Sequence, residues 1–409
     1  MITLSKEQEI VSKGIVECFF NKLKITKLVG FAGTGKTTLI LDVISKIKKE
    51  KQIKVAYTAF TGKASHVLKS KLNDIIDCDN DYCGTLHSLM YVPVTRLVNG
   101  VEIIDSWKKV SSLSYDYIIV DESSMLPNDV FEDLKSYSNV QILLVGDTGQ
   151  LPPVNSLTSV LDDPTFKLEK IHRQAEDNPI IFLSKLVREN GKLPRQGIWS
   201  PNVFKLPWRH PKCNELFQNI NFDKDVIVLC GFNKTRVKLN NMIRRRLGYT
   251  YNSPYVGEKL ICLKNNKDKG VMNGQIGTLM DSVFITPDLS KMTINLDGYG
   301  VYNGIVTLKS FGKAIIDFNE ISKDMFLNKK NKFRYMLKKK ENKEKIDSLD
   351  FFEFAYCISV HKSQGSEWEN VVVVDENFGF GDRNQYAKWL YTAITRSRSK
   401  LFLIGDISI

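Results

Sequence analysis

The amino-acid sequence predicts an α/β fold, a parallel sheet with helices on both faces and a phosphate-binding loop at one edge. Three observations predict it. Apolar runs of strand length alternate with helical patterns between residues 24 and 147. The first run leads through GFAGTGKTT straight into a helical pattern. Later runs end in carboxylates or a rigid polar loop, at the edge where open α/β sheets bind ligands. At 409 residues the chain is long enough for two or more domains, and its 43% hydrophobic and 25% charged composition is that of a globular protein.

In chain order, KITKLVGF (24–31) is a strand, followed by a helix over Thr37–Lys49. IKVAYTAF (53–60) is the next strand, YDYIIVDESSM (115–125) a strand ending in carboxylates, and VQILLVGD (140–147) another. The net charge of +12 predicts an acidic partner, of which nucleic acid is the commonest. The seven cysteines are scattered, which argues against a disulfide framework and for a reduced compartment. Cys78, Cys83 and His87 have roughly zinc-like spacing but no fourth ligand. The start, MITLSKEQEI, has no signal-peptide pattern, and no apolar run is long enough to span a bilayer.

Gly30, Gly35, Lys36 and Thr37 match G-x-x-x-x-G-K-[ST]. Glycines let the backbone close on a phosphate, and the N–H groups of the loop and helix start (Gly33, Thr34, Gly35, Lys36, Thr37, Thr38) cradle the anion. Lys36 reaches the β- and γ-phosphates of a nucleotide, and the Thr37 hydroxyl binds Mg²⁺. Asp121, at the end of its strand, is the second Mg²⁺ residue, and Glu122 beside it is the general base for an attacking water. In ILLVGDTGQLPPV (142–154) a buried strand presents Gln150 in a loop stiffened by two prolines. A glutamine there senses the γ-phosphate or positions the water.

The order of motifs resembles the 5′→3′ branch of the superfamily 1 DNA helicases, the RecD and Dda-like enzymes. The residues that carry the resemblance are the phosphate loop, AYTAFTGKAS (56–65), GTLHSLM (84–90), DESSM, GDTGQLPPV and LEKIHRQ (168–174). They continue with GFNKTRVKLNNMIR (231–244), GEKLICLKNNKDKGVMNGQIG (257–277), SVHKSQGSEWENVVVV (359–374) and LYTAITRSRSKLFLIG (390–405), so the likeness runs along nearly the whole chain.

The resemblance implies two RecA-like domains with ATP between them. The first is 1–84 with 112–175, and the second is 176–245 with 351–409. A β-hairpin insertion (85–111) would be the pin that splits a duplex, its Asn99-Gly100 turn flanked by β-rich runs. An SH3-like insertion (246–350) would help enclose single-stranded DNA. The resemblance further implies that Gln8 reads adenine, Arg173 reaches the γ-phosphate, and Arg396 acts as arginine finger. Gln364 would couple nucleotide to DNA. Thr58, Thr61 and His87 in the first domain, and Ser359, His361 and Lys362 in the second, would grip the strand through phosphate contacts. The Lys-rich stretch 323–345, with Phe326, Phe333 and Tyr335 interleaved, reads equally as a nucleic-acid surface or a solvated helix.

The expected activity is ATP- and Mg²⁺-dependent 5′→3′ translocation on single-stranded DNA with duplex unwinding. The alternatives are a protein-displacing translocase that unwinds little and a nucleotide-gated DNA-binding module. Expected partners are single-stranded DNA and its junctions with duplex, with replisome, single-strand-binding or recombination proteins, and no membrane. The expected form is a monomer in the cytoplasm of a bacterial or phage-infected cell, acting in replication, recombination or repair.

Overall fold

The structure, a computed structural model, describes residues 4–72, 76–77, 79–98, 101–153, 159–170, 178–222, 226–249, 254–263, 271, 273–286, 289–297, 300–308, 350–376 and 382–405. The backbone alone is described for 63, 95–98, 101–105, 284–286, 289–290, 300, 304–305 and 307–308. The chain falls into two compact units. One comprises Met1–Val94, Ser106–Cys213 and Ser363–Ile407; the other comprises Thr95–Asp105, Asn214–Lys362 and Ser408–Ile409.

The first unit opens with helix α1 (Lys6–Phe20), strand β1 (Ile25–Gly30), α2 (Lys36–Glu50), β2 (Val55–Ala59), α3 (Gly62–Leu72), β3 (Tyr82–Thr85) and α4 (Leu86–Met90). Strands β4 (Tyr91–Val98) and β5 (Val101–Lys109) pair as the expected hairpin, whose turn residues 99–100 lie outside the described residues. Then come β6 (Tyr117–Asp121), a single 3-10 turn Ser123–Met125, α5 (Asn128–Lys135), β7 (Gln141–Gly146) and β8 (Phe166–Leu168). Six of these strands form one sheet in the order β3-β2-β6-β7-β1-β8, all pairs parallel.

Period-2 alternation explains why this sheet is covered on both faces. Leu143 and Val145 of β7 join one apolar cluster with Val11, Ile15 and Phe19 of α1 and Leu39, Val43, Ile44 and Ile47 of α2. Ile142 and Leu144 face the opposite cluster, with Leu86 and Met90 of α4 and Leu134 of α5. Each such fully buried side chain contributes about 1.5–3 kcal/mol. The α1 start is fixed by a capping box. Gln8 N–H donates to Ser5 Oγ, and Ser5 N–H donates to Gln8 Oε1.

The first unit also contains α6 (Pro179–Asn190), β9 (Gly197–Ser200) and β10 (Val203–Pro207). After α7 (Pro211–Asn219), β11 (Val226–Cys230) and α8 (Asn233–Arg246), the chain enters a closed barrel. Its strands are β12 (Lys259–Cys262), β13 (Ile276–Thr286), β14 (Leu289–Leu296), β15 (Gly300–Leu308) and β16 (Asp350–Phe354). Then follow β17 (Cys357–Ser359), α9 (Val360–Ser363), β18 (Trp368–Val374), α10 (Arg383–Ile394) and β19 (Ser397–Gly405). Within the first unit β18, β19 and β10 run parallel side by side, with β9 antiparallel outside β10. Lys205 and Asp375 make an ion pair of 2.5 Å there, both nearly buried.

In the second unit β11 and β17 pair in parallel, and Asn240 of α8 bonds both the N–H and the carbonyl of Cys357. Barrel pairs are antiparallel except β15–β16, which closes the ring in parallel. Barrel strands β12 to β15 fall within the expected SH3-like insertion (246–350) and β16 runs on from its end; the Lys-rich stretch 323–345 lies outside the described residues. Among the described residues no helix is long and apolar enough to cross a membrane.

A buried cation holds α8 to the loop entering the barrel. Arg244 forks onto Glu258 at 2.6 and 3.0 Å and stacks on Phe354 at 3.8 Å, and Tyr255 N–H donates to the same carboxylate. Both charged side chains are about fully buried. Arg244→Ala leaves an uncompensated buried carboxylate and should cost roughly 3–5 kcal/mol, read as a lower urea midpoint. The double change Arg244→Met with Glu258→Leu should recover much of the loss.

Candidate nucleotide-binding active site

Three neighbouring strand ends, β6-β7-β1, bring the site residues to one edge of the first sheet. β1 delivers the glycine-rich loop. Gly33 and Gly35 have φ of 83° and 79°, left-handed values that L side chains rarely adopt, and a Cβ on Gly35 would collide with the Gln8 amide. Gly35 caps α2 without any side-chain hydrogen bond, and the first turn of α2 has no acidic residue. The first N–H groups of that helix are therefore open to an anion. Lys36 Nζ donates to the carbonyls of Gly30 (2.7 Å) and Phe31 (3.0 Å), and the buried Thr34 hydroxyl donates to Phe31 O. Thr37 and Thr38 are half-buried in the first turn of α2. Gln8 is buried against the loop, its Nε2 donating to Thr34 O at 3.0 Å.

β6 ends at Asp121, whose Oδ1 accepts from Glu122 N–H at 2.9 Å. Glu122 has φ 53°, a left-handed conformation costing a non-glycine residue about 1–3 kcal/mol, strain of a kind that clusters at active sites. Here the strand stops, four residues before the end of the expected run, because the turn at Glu122 leads into the 3-10 segment. Burial raises the pKa of both carboxyls. The Asp121 charge raises Glu122 further, while Arg396 and Lys36 pull it down. Two carboxylates that resist ionisation together, facing cations, make a donor set suited to a divalent cation.

β7 leads to Gln150, which lies between the carboxylates and the phosphate loop in strand order. The loop is shaped by Gly149 N–H donating to Asp147 Oδ1 and Gln150 N–H donating to Asp147 O. Gln150 is 5% exposed, and its Oε1 is buried with no protein partner among the described residues. An acceptor in that position needs a donor from a ligand or its water.

Arg396 follows α10 and is 4% exposed. Its guanidinium donates to Thr392 O (3.0 Å), Ser366 O (3.1 Å) and Thr395 Oγ1 (3.2 Å), near enough to Glu122 to lower that carboxyl's pKa. Gln364 Nε2 donates to Leu151 O at 3.0 Å, tying the HKSQG segment to the Gln150 loop. Arg173 lies outside the described residues.

The residues expected to grip a nucleic acid are placed differently from one another. Thr58 is fully buried in β2, and its hydroxyl donates to Ile119 O at 2.8 Å. The expected phosphate contact of Thr58 is corrected accordingly, since the side chain fastens β2 to β6 and has no surface to offer. Thr61 is half-buried and accepts from Ala64 N–H at the start of α3. The His87 ring lies 4.6 Å from both Tyr91 and Trp107 at the foot of the hairpin. In the second unit Ser359 is half-buried, His361 is exposed, and Lys362 Nζ donates to Asn273 at 3.3 Å.

The sequence reading missed Asp147, Arg188, Tyr391 and Thr392. Tyr391 donates to Asp147 at 2.8 Å, Leu151 N–H donates to Thr392 Oγ1 at 3.0 Å, and Arg188 stacks on Phe31 of the loop at 3.5 Å. The quoted motifs contain Asp147, Tyr391 and Thr392, but residue type alone does not separate their contacts from core packing. Thr58→Val keeps shape and removes the buried hydroxyl. It should lower stability by about 1 kcal/mol and leave affinity for single-stranded DNA unchanged in a fluorescence-anisotropy titration.

Comparison with known proteins follows the same lines. A family described as AAA domain matches residues 3–196, and one described as UvrD-like helicase C-terminal domain matches 354–404. The RecBCD enzyme subunit RecD of Buchnera aphidicola is 24% identical over 94% of this chain and 70% of that protein. The ATP-dependent RecD2 DNA helicase of Deinococcus radiodurans is 23% identical over 94% of this chain; the chain spans 47% of its length. The crystal structure of Bacteroides Pif1 helicase in complex with ADP-AlF3 and single-stranded DNA superposes with a TM-score of 0.56 at 17% identity, covering 100% of this chain and 94% of that one, a likeness of fold. With its motifs in that order, the chain is similar to these RecD-type proteins along nearly its whole length.

Proposed function

We propose that the chain is an ATP-dependent DNA helicase that moves 5′→3′ on single-stranded DNA and unwinds duplex by Mg-ATP hydrolysis. The observation that carries this reading is that one sheet edge holds Lys36, the Asp121–Glu122 pair and Gln150, whose carbonyl has no partner among the described residues, with Arg396 near enough to lower the Glu122 pKa. The relatives support it, RecD2 by its name as an ATP-dependent DNA helicase and the Bacteroides protein by its complex with ADP-AlF3 and single-stranded DNA.

The loop and α2 N–H groups, from Gly33 to Thr38, bind the phosphates, and Lys36 exchanges its two carbonyl acceptors for phosphate oxygens. Gln8 takes the adenine end. Thr37 and Asp121 would hold Mg²⁺, which would neutralise charge on the phosphates. Among the described residues no three His, Cys, Asp or Glu side chains form a metal cluster, which suits a site completed by phosphate and water.

Glu122 accepts the proton of the attacking water, and its raised pKa brings it closer to the working range of a base. Gln150 orients that water or senses the γ-phosphate, and Arg396, with Arg173, meets the charge that develops. Gln364, on Leu151, links this event to the DNA-binding segment. Thr61 and His87 in one unit and Ser359, His361 and Lys362 in the other contact the strand, and the β4–β5 hairpin parts the duplex.

Lys36→Ala should remove both nucleotide affinity and turnover. Arg396→Ala should leave nucleotide affinity within about twofold while turnover falls roughly 10³–10⁵-fold, as read by ATPase assay beside equilibrium binding. The function itself is tested by strand separation with Mg-ATP on one duplex carrying a 5′ or a 3′ single-stranded tail. Unwinding of the 5′-tailed substrate alone is expected; failure on that substrate removes the proposal, and activity on the 3′ tail reverses its direction.

A further inference from the structure

Tyr391 takes no part in the chemistry above, yet it touches both the phosphate loop and the Gln150 loop. It sits on α10, five residues before Arg396. Its phenol oxygen accepts from the backbone N–H of Ala32 at 3.1 Å and donates to Asp147 Oδ2 at 2.8 Å. Its ring lies where a Gly149 side chain would be, a Cβ there coming within 3.0 Å of the ring. Phe31 of the phosphate loop meets the ring edge-on at 6.4 Å, with Arg188 stacked on Phe31.

The next residue continues the tie, since Thr392 Oγ1 accepts from Leu151 N–H. Arg396 Nε in turn donates to the Thr392 carbonyl. Two adjacent side chains of α10 thus fasten it to the phosphate loop and the Gln150 loop, and Arg396 is held by the backbone of the second.

Ala32 lies inside the G-x-x-x-x-G-K-[ST] loop, whose N–H groups are phosphate donors. An amide has one hydrogen, so the bond to Tyr391 and a bond to a phosphate oxygen compete. Burial keeps the phenol protonated far above neutral pH, so it is a neutral acceptor that an anionic phosphate oxygen outcompetes.

We propose that Tyr391 is a positioning residue that reports occupancy of the phosphate loop to Arg396. Phosphate takes the Ala32 N–H, the phenol releases the loop while keeping Asp147, and α10 moves with its arginine. The inference rests on the reading of the loop as an ATP site.

The test uses the full chain and Tyr391→Phe, which keeps the ring. A fluorescent non-hydrolysable ATP analogue (mant-AMP-PNP with Mg²⁺) reports affinity, hydrogen exchange reports residues 30–36 and 383–396, and steady-state kinetics separates KM from kcat. In the unsubstituted chain the analogue should slow exchange in the loop and change it in α10. Tyr391→Phe should bind the analogue roughly two- to tenfold tighter, the worth of one ordinary hydrogen bond. It should also lose the α10 response and turn over more slowly.

Affinity that is unchanged or weaker, with the α10 response intact, overturns the proposal. A response confined to the loop in the unsubstituted chain overturns it too, whatever the variant's folding. Failure of the unsubstituted chain to bind the analogue would instead remove the ATP-site reading.

Discussion

The site depends on one constraint, that a parallel strand buried on both faces can end only where its backbone finds new partners. β7 is such a strand, with Ile142 to Val145 fully buried. Flanked by β6 and β1, it fixes their spacing and carries the Asp147–Gln150 loop between them. The frayed polar edge of that three-strand core is the place where carboxylates, amide and phosphate loop meet. Remote packing by α1 and α2 on one face and α4 and α5 on the other therefore acts on the chemistry through the registry of three strands.

Polar fastenings on top of that core are local and directional. Asp147 receives Gly149 N–H on one oxygen and Tyr391 on the other, so its two lone-pair faces set the loop shape and the position of α10 together. Gln8 does similar double duty at the other side, closing the α1 cap with its oxygen and holding the Thr34 carbonyl with its nitrogen. In each case one side chain spends both of its functional ends, and a change at either contact is felt at the other.

Much of this was legible in the sequence because strand burial writes itself as apolar runs. The runs around 25–30, 55–59, 117–121 and 141–146 are strands, the glycine loop is followed by a helix, and the Asn-Gly stretch is flanked by paired strands. The closed barrel was expected only through the family resemblance, which implied an SH3-like insertion there. Thr58 was misread because a threonine that fastens two strands and one that meets a phosphate are the same residue type. Tyr391 and the Arg244–Glu258 fork went unnoticed because pairing across 244 or even 14 residues leaves no periodic trace. The strained turn at Glu122 was hidden for another reason: nothing in DESSM betrays a positive φ.

The parallel closure of β15 on β16 has a consequence outside catalysis. β13 to β15 are long, and Met280, Val283 and Val301 on them are more than half exposed. Apolar strands of that length on an open sheet would offer a row of unpaired N–H and carbonyl groups to any other chain, the usual template for strand addition and aggregation. Closing the ring covers part of that row, since β12 pairs with Ile276–Thr278 of β13 and β16 pairs with Val306–Leu308 of β15. Over those stretches the barrel withholds the backbone edge that would recruit another strand, and on the β15 side that protection rests on the three residue pairs from Val306–Asp350 to Leu308–Phe352.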